Sequence, residues 1–103
     1  MSVDIGAIAD FISGEATKVK IENRTLVVVR IQNDFYVLDD RCSHEDFPLS
    51  EGTVDVASCE IECTRHGAMF SLVDGSPQSF PATKPVHTYD VAVKNDRVEV
   101  TIS

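Results

Sequence analysis

The stretch ATKVKIENRTLVVVRIQNDFYVL, residues 16–38, decides the fold class of this chain. Its first part, residues 16–22, alternates small or apolar side chains with charged ones, as a half-buried β-strand does. Residues 26–31 are rich in β-branched side chains, and residues 35–38 (FYVL) continue the pattern. Short polar pairs separate these runs and are turn signals, so the stretch predicts an antiparallel meander.

The two ends of the chain carry further patterns. Residues 86–94 and 98–102 alternate in the same way around a turn signal at Asn95-Asp96, which predicts a C-terminal pair of strands. Residues 5–12 instead place apolar side chains at helical spacing, which predicts one short helix or turn. Short strands at these intervals favour an all-β fold, an antiparallel sandwich or barrel.

The composition limits the class of protein. The chain has 103 residues, the size of one domain spanning 1–103, and 43% of them are hydrophobic, so a folded core is expected. It has 9 basic and 17 acidic residues, and the net charge of −8 excludes nucleic acid and anionic membranes as partners. Residues 34–74 contain ten acids and two bases, and this acidic collar suits docking against a basic protein surface.

Cysteine usage and hydropathy indicate the compartment. The sequence contains no apolar window long enough for a transmembrane helix and no export signal in residues 1–10. The cytoplasm is therefore the expected location, and a monomer is the expected state. Three cysteines without an export signal point to reduced thiols or metal ligands, because an odd number cannot form a complete set of internal disulfides.

The middle of the chain lacks strand periodicity. Residues 39–54 (DDRCSHEDFPLSEGTV), residues 63–71 (CTRHGAMFS) and the proline-rich residues 74–85 are predicted as loops. Long loops in a compact domain usually carry its function. Residues 39–75, approximately, are therefore predicted to form a small binding subdomain.

Two of these loops contain paired cysteine and histidine residues. Cys42 and His44 form a C-x-H motif, and after 18 intervening residues Cys63 and His66 form a C-x-x-H motif. Two thiolates and two imidazoles can bind either one tetrahedral Zn²⁺ or a [2Fe–2S] cluster. Paired ligands of structural zinc usually have two or more residues between them, whereas the C-x-H motif has one, so its spacing favours a cluster that each loop straddles.

The two motifs resemble those of Rieske-type [2Fe–2S] proteins, and the resemblance extends along essentially the whole chain. Outside the four ligands it is carried by residues 49–52 (LSEG), Gly67, Phe70, Asp74-Gly75 and Pro81 within SFPATKP. From this resemblance we expect no attached oxygenase or membrane segment. The chain therefore resembles a stand-alone Rieske ferredoxin, and the resemblance implies a Rieske-like antiparallel fold whose loops form the cluster-binding subdomain.

The resemblance also implies the ligand set and the role. Cys42 and Cys63 would bind the inner iron of one [2Fe–2S] cluster, and His44 and His66 the outer iron. The chain would not be an enzyme but a one-electron carrier, from an NAD(P)H-dependent flavin reductase to a terminal oxygenase such as an aromatic-ring-hydroxylating dioxygenase. Two alternatives remain: the small Rieske subunit of a larger redox enzyme, as in nitrite reductase, and a structural Cys2His2 zinc module.

Several side chains that could take part in chemistry are better explained by structural roles. Cys59 alternates with Ile61 and is predicted to be a small buried hydrophobic residue on a strand. His87 shares a predicted strand face with Tyr89, which favours a packed or edge histidine. The carboxylate pairs Asp39-Asp40 and Glu45-Asp46 are accompanied by no acid–base partner, so they are predicted to form a solvated acidic rim.

The departures from the family pattern predict a low reduction potential. High-potential Rieske proteins have a disulfide between the two loops, whereas this chain has Phe47 and Arg65 at the matching positions. Ala68 and Phe70 replace a serine and a tyrosine whose hydroxyls donate to the cluster sulfurs and stabilise the reduced state. Cyclic voltammetry should therefore give a midpoint of about −150 mV rather than about +300 mV. A strongly positive midpoint would contradict this reasoning.

Overall fold

The regular structure is built from β-strands and two short 3-10 turns within the residues that the computed structural model describes, which are 2–41, 48–63, 67–78 and 84–102. The 3-10 turns are Ile8–Asp10 and Leu49–Glu51. The strands in chain order are β1 (Ser2–Ala7), β2 (Ala16–Ile21), β3 (Arg24–Ile31), β4 (Asp34–Asp39), β5 (Thr53–Asp55), β6 (Glu60–Glu62), β7 (Met69–Ser71), β8 (Thr88–Tyr89), β9 (Val91–Lys94) and β10 (Arg97–Thr101). The predicted all-β antiparallel fold is confirmed. Within the same ranges, no helix has the length and apolar character needed to cross a membrane.

The strands form three antiparallel sheets across the described residues. The central sheet has the order β2-β3-β4-β8, an outer sheet the order β1-β10-β9, and a small sheet the order β5-β6-β7. Two-residue turns join β2 to β3 and β3 to β4, and each turn begins with a residue of positive φ, Glu22 at 54° and Gln32 at 56°. Positive φ gives the turn the twist that antiparallel neighbours need. The predicted meander is therefore the central sheet.

Strand β3 is buried on both of its faces. Residues 26–29 (LVVV) are each 0% exposed. Leu26 and Val28 pack into a core with residues of the outer sheet, whereas Val27 and Val29 pack into a second core with residues of the small sheet. Because side chains of a strand alternate between its faces, a strand covered on both sides needs a continuous apolar run. The run LVVV is thus explained by the position of β3 between two sheets.

The N-terminal segment agrees only in part with the prediction of one short helix or turn in residues 5–12. It forms β1, which pairs with β10 from Ser2 opposite Thr101 to Ala7 opposite Arg97, and a 3-10 turn at Ile8–Asp10 follows. Pairing with β10 satisfies the backbone along β1, and the guanidinium of Arg97 lies 2.9 Å from the carboxylate of Asp4 across this pair. Sheet pairing therefore overrides the helical spacing of the apolar side chains.

The C-terminal segment also departs from its prediction in one respect. The expected single strand over residues 86–94 is divided at Asp90 into β8, which joins the central sheet, and β9, which joins the outer sheet. The turn at Asn95-Asp96 is confirmed, with φ of 51° and 62°, and it aligns Lys94 opposite Arg97. The chain thus crosses from one sheet to the other just before its last hairpin.

A comparison of two glycines tests the packing between the loop at residues 72–75 and Val86. Gly75 and Gly14 both have positive φ, 75° and 86°, so alanine at either position should cost about 1–2 kcal/mol. A Cβ on Gly75 would also overlap the carbonyl oxygen of Val86, whereas a Cβ on Gly14 would meet only Val56 at 3.7 Å. Urea denaturation should therefore show Gly75→Ala to be more destabilising than Gly14→Ala by about 1–3 kcal/mol. Equal losses of unfolding free energy in the two variants would mean that the backbone at Val86 can move away from the added Cβ at little cost.

Candidate metal centre

Of the four predicted ligands, Cys63 lies within the described part of the structure, and Cys42, His44 and His66 lie outside it. Cys63 follows β6 directly and is 0% exposed. It packs into the core between the central and small sheets, together with Val27 and Leu38. A thiolate in such apolar surroundings is unfavourable unless a cation is bound to it. The position of Cys63 thus fits an inner sulfur ligand.

The second loop is closed at its base by the hairpin of β6 and β7. Glu62 lies opposite Met69 in the last pair of the ladder, and beyond it the Cys63 N–H donates to the carbonyl oxygen of Ala68 at 2.7 Å. Ala68 and Phe70 are both 0% exposed. This hairpin therefore fixes Cys63 and confirms that the side chains at 68 and 70 point into the core, not into solvent.

The first loop is joined across its base by a buried carboxylate. Asp40 follows β4, and its side chain is 1% exposed. Its Oδ1 accepts a hydrogen bond of 2.6 Å from the Ser50 backbone N–H, and its Oδ2 accepts one of 2.8 Å from the Ser50 hydroxyl. The Lys18 Nζ lies 3.7 Å from Oδ2. The prediction that Asp40 belongs to a solvated rim is therefore wrong, because these partners replace water around the carboxylate.

The two loop bases share one hydrophobic core. Leu49, at the start of the 3-10 turn after the first loop, is 0% exposed, and it belongs to the same cluster as Ile61 and Cys63 beside the second loop. The fold therefore brings the flanks of the two sequence motifs together. Within the described ranges, no group of three or more metal-binding side chains occurs, and those ranges include one of the four predicted ligands. Two thiolates and two imidazoles suit a Rieske cluster by their chemistry.

A second polar group lies beside the first loop, on the central sheet. The Tyr89 hydroxyl donates to Oδ1 of Asp39 at 2.6 Å and accepts from Nη1 of Arg24 at 3.4 Å. Asp39 is therefore half-buried and hydrogen-bonded, which also departs from a solvated rim. His87 is exposed, and its ring meets that of Tyr89 edge-on with centroids 4.7 Å apart, in agreement with the predicted edge histidine.

Cys59 occupies a turn and not the predicted strand. It directly precedes β6, has a φ of 58°, and is half-buried against the core that contains Cys63. Its carbonyl oxygen accepts from the Leu72 N–H at 2.9 Å. A hydrogen bond to the Cys59 sulfur, together with burial, raises the pKa of Tyr36. Cys59 is thus half-buried and not buried as predicted, although it packs against the core as predicted for a structural residue.

Sequence reasoning missed Asp40 and Ser50 as partners. Ser50 entered the prediction only as part of the LSEG stretch, and Asp40 only as a surface acid. Nine residues separate them, and neither periodicity nor spacing indicates that their side chains meet. The one available signal was position, because the two residues flank the first motif closely on either side.

The polar group around Tyr89 leads to a prediction on pH dependence. Burial and the Asp39 carboxylate raise the pKa of Tyr89, while Arg24 acts in the opposite direction. An unfolded tyrosine ionises near pH 10, so above about pH 10 the unfolded state loses its proton first and the free energy of unfolding falls. Ultraviolet titration should show a lower pKa for Tyr89 in Asp39→Asn, because the nearby negative charge is gone.

The matched control for this titration is Asp34→Asn on the same strand. Asp34 contributes to the raised pKa of Tyr36, whereas the pKa of Tyr89 is shifted by burial, Asp39 and Arg24; this variant should therefore change the titration of Tyr36 and leave that of Tyr89 unchanged. The Tyr89→Phe variant lacks the Tyr89 hydroxyl, so the step that disappears from its ultraviolet titration belongs to Tyr89. An unaltered pKa of Tyr89 in Asp39→Asn would refute the electrostatic role of Asp39.

Comparison with known proteins identifies the family. The family model described as Rieske [2Fe–2S] domain matches residues 1–90. The 3-phenylpropionate/cinnamic acid dioxygenase ferredoxin subunit of Photorhabdus laumondii subsp. laumondii is 36% identical over 78 residues, which cover 76% of this chain and 73% of that protein.

Solved structures agree with this match. The ferredoxin of carbazole 1,9a-dioxygenase from Nocardioides aromaticivorans IC177 has a TM-score of 0.96 and 28% identity, covering 100% of this chain and 99% of that one. A chain in the structure of a complex of reduced oxygenase and oxidized ferredoxin in carbazole 1,9a-dioxygenase has a TM-score of 0.90 and 35% identity. The match covers 97% of this chain and 92% of that one. Sequence motifs, fold and these comparisons agree, and the chain belongs to the family of Rieske [2Fe–2S] domains.

Proposed function

We propose that this protein is the ferredoxin of a ring-hydroxylating dioxygenase system, a one-electron carrier and not itself an enzyme. The proposal is supported above all by the full-length match to a dioxygenase ferredoxin, which covers 100% of this chain and 99% of that one. We assign residues 1–103 to a single domain, and approximately residues 39–75 to its cluster-binding subdomain.

The proposed ligands are Cys42, His44, Cys63 and His66. A Rieske [2Fe–2S] cluster, when bound, supplies reversible one-electron oxidation and reduction. The chain's own contribution is to bind and orient it. Cys63 is 0% exposed and anchored by its hydrogen bond to Ala68, which supports its assignment to the inner iron together with Cys42. Phe70 lies buried beside it and carries no hydroxyl that could donate to the cluster.

The proposed partners are an NAD(P)H-dependent flavin reductase as electron donor and a terminal oxygenase as acceptor. The carbazole 1,9a-dioxygenase complex supports the acceptor, since it pairs an oxygenase with a ferredoxin. The acidic side chains of Glu51, Asp55 and Asp74 are exposed and suit transient docking on basic surfaces. We propose that the protein works as a monomer in the cytoplasm.

Metal analysis of two cysteine variants tests this function. The purified protein should be reddish-brown, contain iron and acid-labile sulfide in equal amounts, and give an EPR signal on reduction. Cys63→Ser should lose the cluster, because the variant lacks a ligand thiolate. Cys59→Ser is the matched control and should retain it, because Cys59 lies in a turn outside both motifs.

Other outcomes would identify the alternatives. A colourless protein with one bound zinc per chain would end the ferredoxin proposal in favour of a zinc module. Stable copurification with a large flavoprotein or haem subunit would favour the small subunit of a larger redox enzyme. A reddish-brown protein that is purified alone and is reduced by a flavin reductase would support the ferredoxin.

A further inference from the structure

Residues 48–52 (PLSEG) connect the bases of the two motif-bearing loops, and we call this stretch the bracket segment. We propose that Asp40, Ser50 and Gly52 are positioning residues that hold Cys42 and Cys63 at the separation a [2Fe–2S] cluster needs. This inference rests on the proposed function. None of the three is a proposed ligand. Asp40 and Ser50 would act through Cys42, and Gly52 would act through Cys63.

The first contact joins the bracket segment to the first loop. Asp40 stands two residues before Cys42, and both of its carboxylate oxygens accept hydrogen bonds from Ser50, at 2.6 and 2.8 Å. The nine residues between Asp40 and Ser50 contain both ligands of the first motif. The ends of that loop are therefore tied together by charge-assisted hydrogen bonds, which are stronger than those between neutral groups.

The central sheet anchors this contact. The Asp40 N–H donates to the carbonyl oxygen of Thr25 at 3.0 Å, on strand β3, and Lys18 of strand β2 lies 3.7 Å from the carboxylate. The Asp40 side chain is 1% exposed, so water competes little for its oxygens. The start of the first loop is thus fixed to the central sheet.

The second contact joins the bracket segment to the second loop. Gly52 lies so close to the Glu62 carbonyl that a Cβ at this position would overlap its oxygen. Glu62 directly precedes Cys63, and it pairs with Thr53 in the ladder of β5 and β6. Leu49, directly before Ser50 in the bracket segment, is 0% exposed. The segment therefore has one fixed contact at Ser50, a second at Gly52, and a buried anchor at Leu49.

These contacts order the loop bases when the chain folds. Preorganised ligands bind more tightly because less conformational entropy is lost at the moment of binding. Interactions outside the ligand set commonly control the orientation of metal ligands and are costly to remove. Removing the contact at Ser50 or the contact at Gly52 should therefore weaken retention of the cluster more than it lowers the stability of the fold.

The experiment compares variants of the loaded protein. Asp40→Ala removes both hydrogen bonds to Ser50, Ser50→Ala removes only the hydroxyl bond, and Gly52→Ala pushes the segment away from Glu62. Asp4→Ala is the matched control: Asp4 also accepts a backbone N–H bond, from Gly6 at 2.9 Å, and pairs with Arg97, but it lies on β1, away from both loops. Ser50→Ala is the mildest change and keeps the test decisive if another variant does not fold.

The first measurement is the rate of iron loss to a chelator, corrected for each variant's unfolding free energy. Loss should be about tenfold faster in Asp40→Ala and about threefold faster in Ser50→Ala, as expected for removing hydrogen bonds to a buried charge. Gly52→Ala should also lose iron faster, whereas Asp4→Ala should match the parent protein. The EPR signal of the reduced Asp40→Ala and Gly52→Ala proteins should broaden, a change that mere destabilisation would not cause.

The second measurement is amide hydrogen exchange, which does not depend on the cluster. Exchange at the Ser50 amide should accelerate in Asp40→Ala, and exchange at the Cys63 amide in Gly52→Ala. Unchanged iron loss and EPR signals in a wild type that binds a cluster would overturn the positioning role. If the wild type binds no [2Fe–2S] cluster, the proposed function fails and the positioning role fails with it; in a wild type that binds the cluster, unchanged exchange in the variants would overturn the bracket segment alone.

Discussion

Burial of strand β3 between two sheets is the constraint on which the rest of the molecule depends. Residues 26–29 are 0% exposed, and their side chains alternate between two separate cores. The small sheet, β5 to β7, consists of strands of three residues each and buries its apolar side chains against Val27 and Val29. Such short strands are not stable by themselves, so β3 holds the hairpin that carries Cys63 in place.

Polar contacts add precision to this apolar support. The core brings Leu49 and Cys63 into one cluster, but hydrophobic contact is non-directional and does not fix the course of a loop. Hydrogen bonds are directional, and those from Ser50 to Asp40 and from Tyr89 to Asp39 fix the orientation of the chain at the end of β4. Both acids are close to the first motif, and both are bonded to protein groups. Two acidic side chains that lie close in sequence to the first motif are thus held by protein groups.

The sequence permitted prediction of the features that depend on local pattern or ligand chemistry. Alternation identified β2 and β10, and the paired motifs indicated the family and the four proposed ligands. The sequence pattern did not identify β1, because its apolar residues match helical spacing. Pairing with β10 decides between a helix and a strand there. The contact between Asp40 and Ser50 was equally invisible, since it joins side chains across a loop whose course is set by tertiary structure.

We propose that two of the three cysteines, Cys42 and Cys63, and two of the three histidines, His44 and His66, hold one Rieske cluster on this scaffold. Electron–nuclear double resonance of the reduced protein, grown with isotopically labelled histidine, tests it most directly. We expect strong coupling of the electron spin to imidazole nitrogens of both His44 and His66, and loss of one coupling on substitution of either. A paramagnetic cluster without nitrogen coupling would show that cysteines or other groups hold the iron, and would contradict the proposed ligand set.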